Sequence, residues 1–156
     1  MATKLCTRLI KIFSIVIFLL SPLNFLFSNN SMESYEISLT QAFELYKKNK
    51  LLIVDIRTEK EWQSTGIIPN SKLLSMHDNQ YNEIENFPQQ IKSLIDKNED
   101  TNISFICASG ARSEIVAKFF LDKGYNNISH IPDGITGKSY NGWLYEGFPI
   151  EPYKLD

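Results

Sequence analysis

Cys107 stands at the head of Cys107-Ala108-Ser109-Gly110-Ala111-Arg112-Ser113, a spacing suited to the chemistry of a sulfur anion. It follows Ile103-Ser104-Phe105-Ile106, an apolar run that reads as a buried strand. It precedes a run from Ala111 to Leu121 in which Ile115, Val116, Phe119 and Phe120 recur at helical spacing. The cysteine therefore sits where a strand ends and a helix begins. Gly110 can take a positive φ without penalty, which allows a tight curl. The N–H groups from Ala108 to Arg112 then point into one hollow at the positive end of a helix dipole. Arg112 adds a permanent charge at the rim. Such a hollow favours a thiolate and holds whatever anionic group the sulfur attacks. No histidine lies nearby in the sequence, and this arrangement needs none, because fixed dipoles and Arg112 supply the activation. A buried structural cysteine is the alternative, but it leaves Gly110, Arg112 and the following helix without a purpose at these offsets.

The elements around the loop set its position. Tyr35-Glu36-Ile37 reads as a first strand. Ser38 with Gln41 has the spacing of a capping box, opening a helix to about Asn49 with Ala42, Phe43 and Tyr46 on one face. Leu51 to Ile56 is apolar apart from Asp55, the mark of a parallel strand buried on both faces. Thr58 with Glu61 is a second capping box. Asp55 and Arg57 stand at the carboxyl end of that strand, where α/β sheets build their sites. Lys72 to Ser75 is a short strand and Met76 to Asn86 an irregular segment carrying His77. Pro88 opens a helix with the stripe Ile91, Leu94 and Ile95. Gly124 closes the helix after the loop. Ile128 to Ile131 is the last strand, in which His130 reads as structural.

Cys-x-x-Gly-x-Arg-Ser after an apolar strand resembles the active-site loop of rhodanese-type sulfurtransferases. The resemblance spans residues 34 to 151. It includes Asp55-Ile56-Arg57 before a short acidic helix and an aromatic, Gly66-Ile67-Ile68-Pro69-Asn70-Ser71 as the family's Gly-x-Ile-Pro turn, and Gly147-Phe148-Pro149-Ile150 at the end. It implies an α/β fold with a central, mostly parallel five-stranded sheet and helices on both faces. It also implies that Arg57 pairs with Glu59 or Glu61, with Asp55 and Arg57 supporting the loop from behind. Three departures stand out. Asp133-Gly134-Ile135 replaces a double glycine. Trp143 arrives late, after the inserted stretch 136–142, which carries Lys138, Tyr140 and two glycines and reads as a flexible loop. Ala108 follows the cysteine, where family members that use thiosulfate efficiently carry a basic residue.

The first thirty residues differ from the rest. Lys4, Arg8 and Lys11 precede an apolar segment from Ile12 to Phe27, and no acidic residue occurs before Glu33. This is the layout of a secretory signal peptide. It divides the chain into a leader, 1–30, and a single domain, 31–156, exported to the periplasm or beyond. A membrane anchor over residues 5–27 is the rival, although the run is short of the roughly 20 residues a spanning helix needs and Pro22 interrupts it. Taking away the three basic residues of the leader moves the net charge from −2 to −5, an acidic balance without the footprint for nucleic acid. Cys6 leaves with it, so Cys107 is the one cysteine of the domain and no internal disulfide can form.

The resemblance implies ping-pong sulfur transfer. Cys107 attacks the outer sulfur of a donor such as thiosulfate, sulfite leaves, and the Cys107 persulfide passes its sulfur to cyanide or a thiol. Ala108, Ser109, Gly110 and Ala111 line the binding hollow, and Arg112 orients the donor. No cofactor and no metal is expected; the partners are small sulfur donors and acceptors, or a sulfur-relay protein. A carrier that only receives sulfur from a partner would have the same loop. A cysteine-dependent phosphatase or arsenate reductase is the further alternative. Tyrosine phosphatases, however, space the two residues Cys-x5-Arg, whereas the spacing here is Cys-x4-Arg, a smaller ring.

Overall fold

Ser38 and Thr58 both close reciprocal capping boxes, with Gln41 and Glu61 respectively. Each satisfies orphan backbone donors at a helix start and is worth on the order of 1 kcal/mol. In this computed structural model, which describes residues 35–154, these caps open α1 (Leu39–Lys47) and α2 (Glu59–Thr65). The remaining elements are β1 (Leu51–Asp55), β2 (Lys72–Leu73), α3 (Phe87–Asp96), β3 (Asn102–Ile106), α4 (Ala111–Leu121) and β4 (Ile128–His130). Ser31–Asp156 makes one compact unit. The leader expected over 1–30 lies outside the described residues.

The strands form a parallel sheet in the order β2-β1-β3-β4. Its two faces are both covered, which explains the near-continuous apolar character of β1 and β3. On one face Val54, Ile103 and Phe105 pack with Ile91 and Ile95 of α3 and with Val116, Ala117 and Phe120 of α4. On the other, Leu51, Ile53 and Ile106 pack with Leu39 and Ala42 of α1 and with Ile131, Ile135 and Trp143 of the tail. Adjacent residues such as Ile53 and Val54 serve opposite faces because side chains alternate along a strand.

Three sequence expectations change. The sheet has four strands, not five. Glu36 makes a single parallel bridge to His130, with Ile37 N donating to His130 O and His130 N to Tyr35 O. The chain cannot continue as a strand because Ser38 turns it into α1. The apolar stripe of α4 is split: Val116 and Phe120 are buried, while Ile115 and Phe119 remain 61% and 46% exposed. The inserted stretch is pinned, not loose. Thr136 N and Gly137 N both donate to Ala108 O, at 2.9 and 3.0 Å. Trp143 is wholly buried. Its Nε1 donates to Pro149 O, and its ring meets Phe43, Tyr46 and Phe148.

Candidate active site

β3 ends at Ile106 and α4 begins at Ala111, so Cys107 to Gly110 must reverse direction within four residues. Gly110 does this at φ 90°, in the left-handed region. The loop's carbonyls are tied down behind it. Cys107 O accepts from Ile135 N at 2.8 Å, and Ala108 O accepts from Thr136 N, Gly137 N and the Thr136 hydroxyl. Gly110 O accepts from Glu114 N and from Ser113 Oγ, both at 2.9 Å. The described peptide bonds are all trans. In a planar trans peptide the N–H points opposite to the carbonyl, so the Ala108 and Ser109 N–H groups face away from the tail. The first turn of α4 adds N–H groups that have no intrahelical acceptor. The result is a set of N–H donors on the side of the loop opposite the tail.

Cys107 itself is 1% exposed, so only the reacting end of a small molecule can reach Sγ. Its Sγ donates toward Ser113 Oγ at 3.7 Å.

Gly110 has no room for a side chain. A Cβ there would lie 2.0 Å from Pro132 O and 2.8 Å from Pro132 C, both backbone atoms. Gly124 has a similar φ, +92°, with open space around it. Gly110→Ala is therefore expected to cost well beyond the roughly 1–3 kcal/mol of left-handed strain and to disrupt the loop. Gly124→Ala should incur the strain alone. Urea midpoints of the two variants provide the comparison; equal losses would contradict this reading of the loop.

Arg112 does not stand free at the rim. Its Nη1 and Nη2 donate to Glu61 Oε2 and Oε1 at 2.9 and 2.6 Å, a bidentate pair. Glu61 also accepts from Thr58 N as part of its capping box, so one carboxylate joins the start of α2 to the start of α4. Burial works against charge on both members. The mutual hydrogen bonds and attraction outweigh it, with Thr58 assisting Glu61, so the Arg112 pKa is raised and the Glu61 pKa lowered.

A lowered carboxyl pKa gives stability that is complete above the unfolded value, about 4.3, and is lost as pH falls through the folded value below it. Thermal melts should show this as a steeper acid decline for the wild type than for Glu61→Gln, which should melt lower at neutral pH. Parallel curves would argue against the coupling.

Arg57 is a second correction. Its partner is Asp55, not Glu59 or Glu61, and the pair is fully buried. Nη2 lies 2.7 Å from Asp55 Oδ2, and Nε lies 3.0 Å from both oxygens. Nη2 also donates to Gly66 O, while Nη1 reaches Thr65 Oγ1 and Glu61 O. Arg57 thus ties the end of β1 to the carbonyls closing α2, where a cation suits the helix terminus. Asp55 wins because it sits two residues back and needs a counter-charge at full burial, while Glu61 is already taken by Arg112. The four residues make a connected support: Asp55 holds Arg57, Arg57 holds α2, and Glu61 of α2 holds Arg112.

The structure brings Cys107 to Arg112 together in one loop, with Asp55 and Arg57 behind. His77 lies apart, in a small hairpin where it bridges to Glu83. A residue read as structural comes closer than expected: His130 Nδ1 is 3.4 Å from Ser113 Oγ. The signal that could have located it is strand register, since His130 is paired with Phe105, two residues before Cys107.

Comparison with known proteins matches residues 38–139 to the family model of the Rhodanese-like domain. An uncharacterized protein of Rickettsia prowazekii is 36% identical over 72% of this chain and 94% of its own length. The thiosulfate sulfurtransferase GlpE of Pseudoalteromonas translucida is 29% identical over 64% of this chain and 84% of its own. Among solved structures, a protein of M. tuberculosis superposes with a TM-score of 0.63 at 22% identity, covering 76% of this chain and 97% of that one. That last likeness speaks for the fold alone.

Proposed function

Because the chain belongs to the rhodanese-like domain family, we propose that it is a sulfurtransferase working through a Cys107 persulfide. The observation that carries this reading is the orientation of the loop. The carbonyls of Cys107, Ala108 and Gly110 are bound from behind, leaving N–H donors on the opposite side, where a terminal persulfide anion would sit. Such fixed donors stabilise charge where it develops and need no reorganisation. The Cys107 thiolate attacks the outer sulfur of the donor. The donor's S–S bond breaks, its electron pair leaves with sulfite in the case of thiosulfate, and Cys107 keeps the sulfane sulfur. A thiophilic acceptor then attacks that outer sulfur and releases the Cys107 thiolate. In this reading Ser109 donates an additional hydrogen bond to the persulfide.

Arg112 supports the reaction chiefly by holding the loop, since Glu61 occupies two of its nitrogens. With Ala108 beside the cysteine, this leaves the hollow weakly cationic and favours thiol persulfides over thiosulfate, whose two negative charges are concentrated at the reacting end. The assay is thiocyanate formation by the full chain, with thiosulfate and a glutathione persulfide compared as donors and cyanide as acceptor. Turnover that is faster with the persulfide is the expected result. Failure with both donors, and no sulfur retained on Cys107, would overturn the proposal.

A specific feature supports a second reading, a carrier served by a protein partner. Ile115 and Phe119 are exposed on the helix that also carries Arg112. They border an apolar cleft of about 150 Å³ with Met76, Phe87 and Pro88. A carrier would retain one sulfur from the donor yet show no turnover with cyanide. The basic start and apolar run of residues 1–30 support action of this domain outside the cytoplasm.

A further inference from the structure

Three buried side chains from different segments meet behind the loop. Cys107 Sγ is 3.7 Å from Ser113 Oγ, and Ser113 Oγ is 3.4 Å from His130 Nδ1. Ser113 is fully buried and His130 is 2% exposed. On the far side of the imidazole, Nε2 lies 3.7 Å from Glu36 Oε1. The ring is stacked on Tyr35 at 5.6 Å between centroids, which fixes its plane. A structural histidine would need none of this order, and a strand position next to the sulfur-bearing strand could as well hold an apolar residue.

We propose that His130 is a positioning residue for the sulfur chemistry, exchanging the Cys107 proton through the Ser113 hydroxyl. The inference rests on the sulfurtransferase reading for its purpose and on the geometry for its existence. In the resting thiol, Sγ–H donates to Ser113 Oγ. On activation the Ser113 hydroxyl turns from Gly110 O, to which it donates at 2.9 Å in the resting site, toward His130 Nδ1; the S–H bond breaks and its proton passes to Oγ, while the hydroxyl's own proton passes to Nδ1. The products are a thiolate, an intact serine and an imidazolium. When the acceptor later removes the sulfane sulfur, the Cys107 thiolate is regenerated and the proton returns by the same path. Hydrogen bonds of this kind are often long in the free enzyme and tighten in the complex.

The charges around His130 agree with this role. Burial lowers its pKa, so the imidazole is neutral at physiological pH and its Nδ1 can accept a proton. Glu36 on the N-terminal segment and Glu114 on α4 favour the imidazolium, and Lys118 of α4 opposes it. Glu36 faces Nε2 and so favours the tautomer that keeps its proton there, leaving Nδ1 open toward Ser113.

The test follows the rate of Cys107 alkylation by iodoacetamide against pH, a readout independent of sulfur transfer. The wild type should show two rises, the lower one belonging to His130. His130→Asn keeps a polar group near Nδ1 but does not titrate. It should lose the lower rise and react on the order of tenfold more slowly near neutrality. Ser113→Ala should do the same, and the double variant should be no slower than either single one, as expected of residues acting in series. A His130→Asn profile that overlays the wild type, or single effects that multiply, would overturn the relay. Should His130→Asn fail to fold, the His130 imidazole titration by NMR replaces it. Its midpoint should move on Cys107→Ala, and an unmoved midpoint would overturn the relay. Absent sulfur transfer with an intact two-step profile would dismiss the proposed function and leave the relay standing.

Discussion

Cys107→Ser is expected to abolish sulfur transfer, a loss on the order of 10³-fold or more, because no other group among the described residues can carry the sulfane sulfur. Cys107 is the free cysteine among the described residues. A serine alkoxide is a far weaker nucleophile toward sulfur, and it does not hold a persulfide. The hydroxyl fits the site, since Ser113 Oγ offers it a hydrogen-bond partner, so the fold should be unaffected. Thiocyanate formation measured beside an unchanged thermal melt would check both halves of this expectation. Residual turnover within tenfold of the wild type would mean that the sulfur travels elsewhere.

Arg57→Ala is expected to have the largest effect on stability. It leaves the Asp55 carboxylate, wholly buried, with no counter-charge. Breaking one side of a buried pair costs on the order of 3–5 kcal/mol, against a total of about 5–15 kcal/mol for a domain. The lost bonds to Gly66 O and Thr65 Oγ1 add to this. Replacing both members with apolar residues removes the uncompensated charge, so Asp55→Leu with Arg57→Met should recover part of the loss. Urea unfolding midpoints of the three proteins give the ordering. An Arg57→Ala protein as stable as the wild type would show that the pair contributes nothing. The double variant should still lose activity, because α2 would no longer be fixed against β1 and Glu61 would hold Arg112 less firmly.

Much of the site was legible because its signals are local. The strand before Cys107, the left-handed Gly110 and the helix from Ala111 follow one another along the chain, and each has a residue-level cause. The capping boxes at Ser38 and Thr58 were equally readable, since a hydroxyl and a Glu or Gln three residues on act on each other directly. What was not legible depends on partners distant in sequence. Arg57 could have paired with any of three nearby carboxylates, and only burial assigns it to Asp55. The α4 stripe looked uniform, but periodicity cannot say that Ile115 and Phe119 lack a neighbour. The stretch 136–142 looked loose because its anchors are carbonyls of the active loop, which no pattern of side chains reveals. The position of His130 was not legible for the same reason. It is 17 residues from Ser113, and only parallel pairing of β4 with β3 brings it behind the sulfur.

The measurement that bears most directly on the central claim is the intact mass of the full chain after exposure to a sulfane donor, with peptide mapping of the product. The account predicts a gain of one sulfur atom located on Cys107, removed by cyanide and absent in Cys107→Ser. A chain whose mass is unchanged by every donor, with Cys107 still open to alkylation, would contradict it.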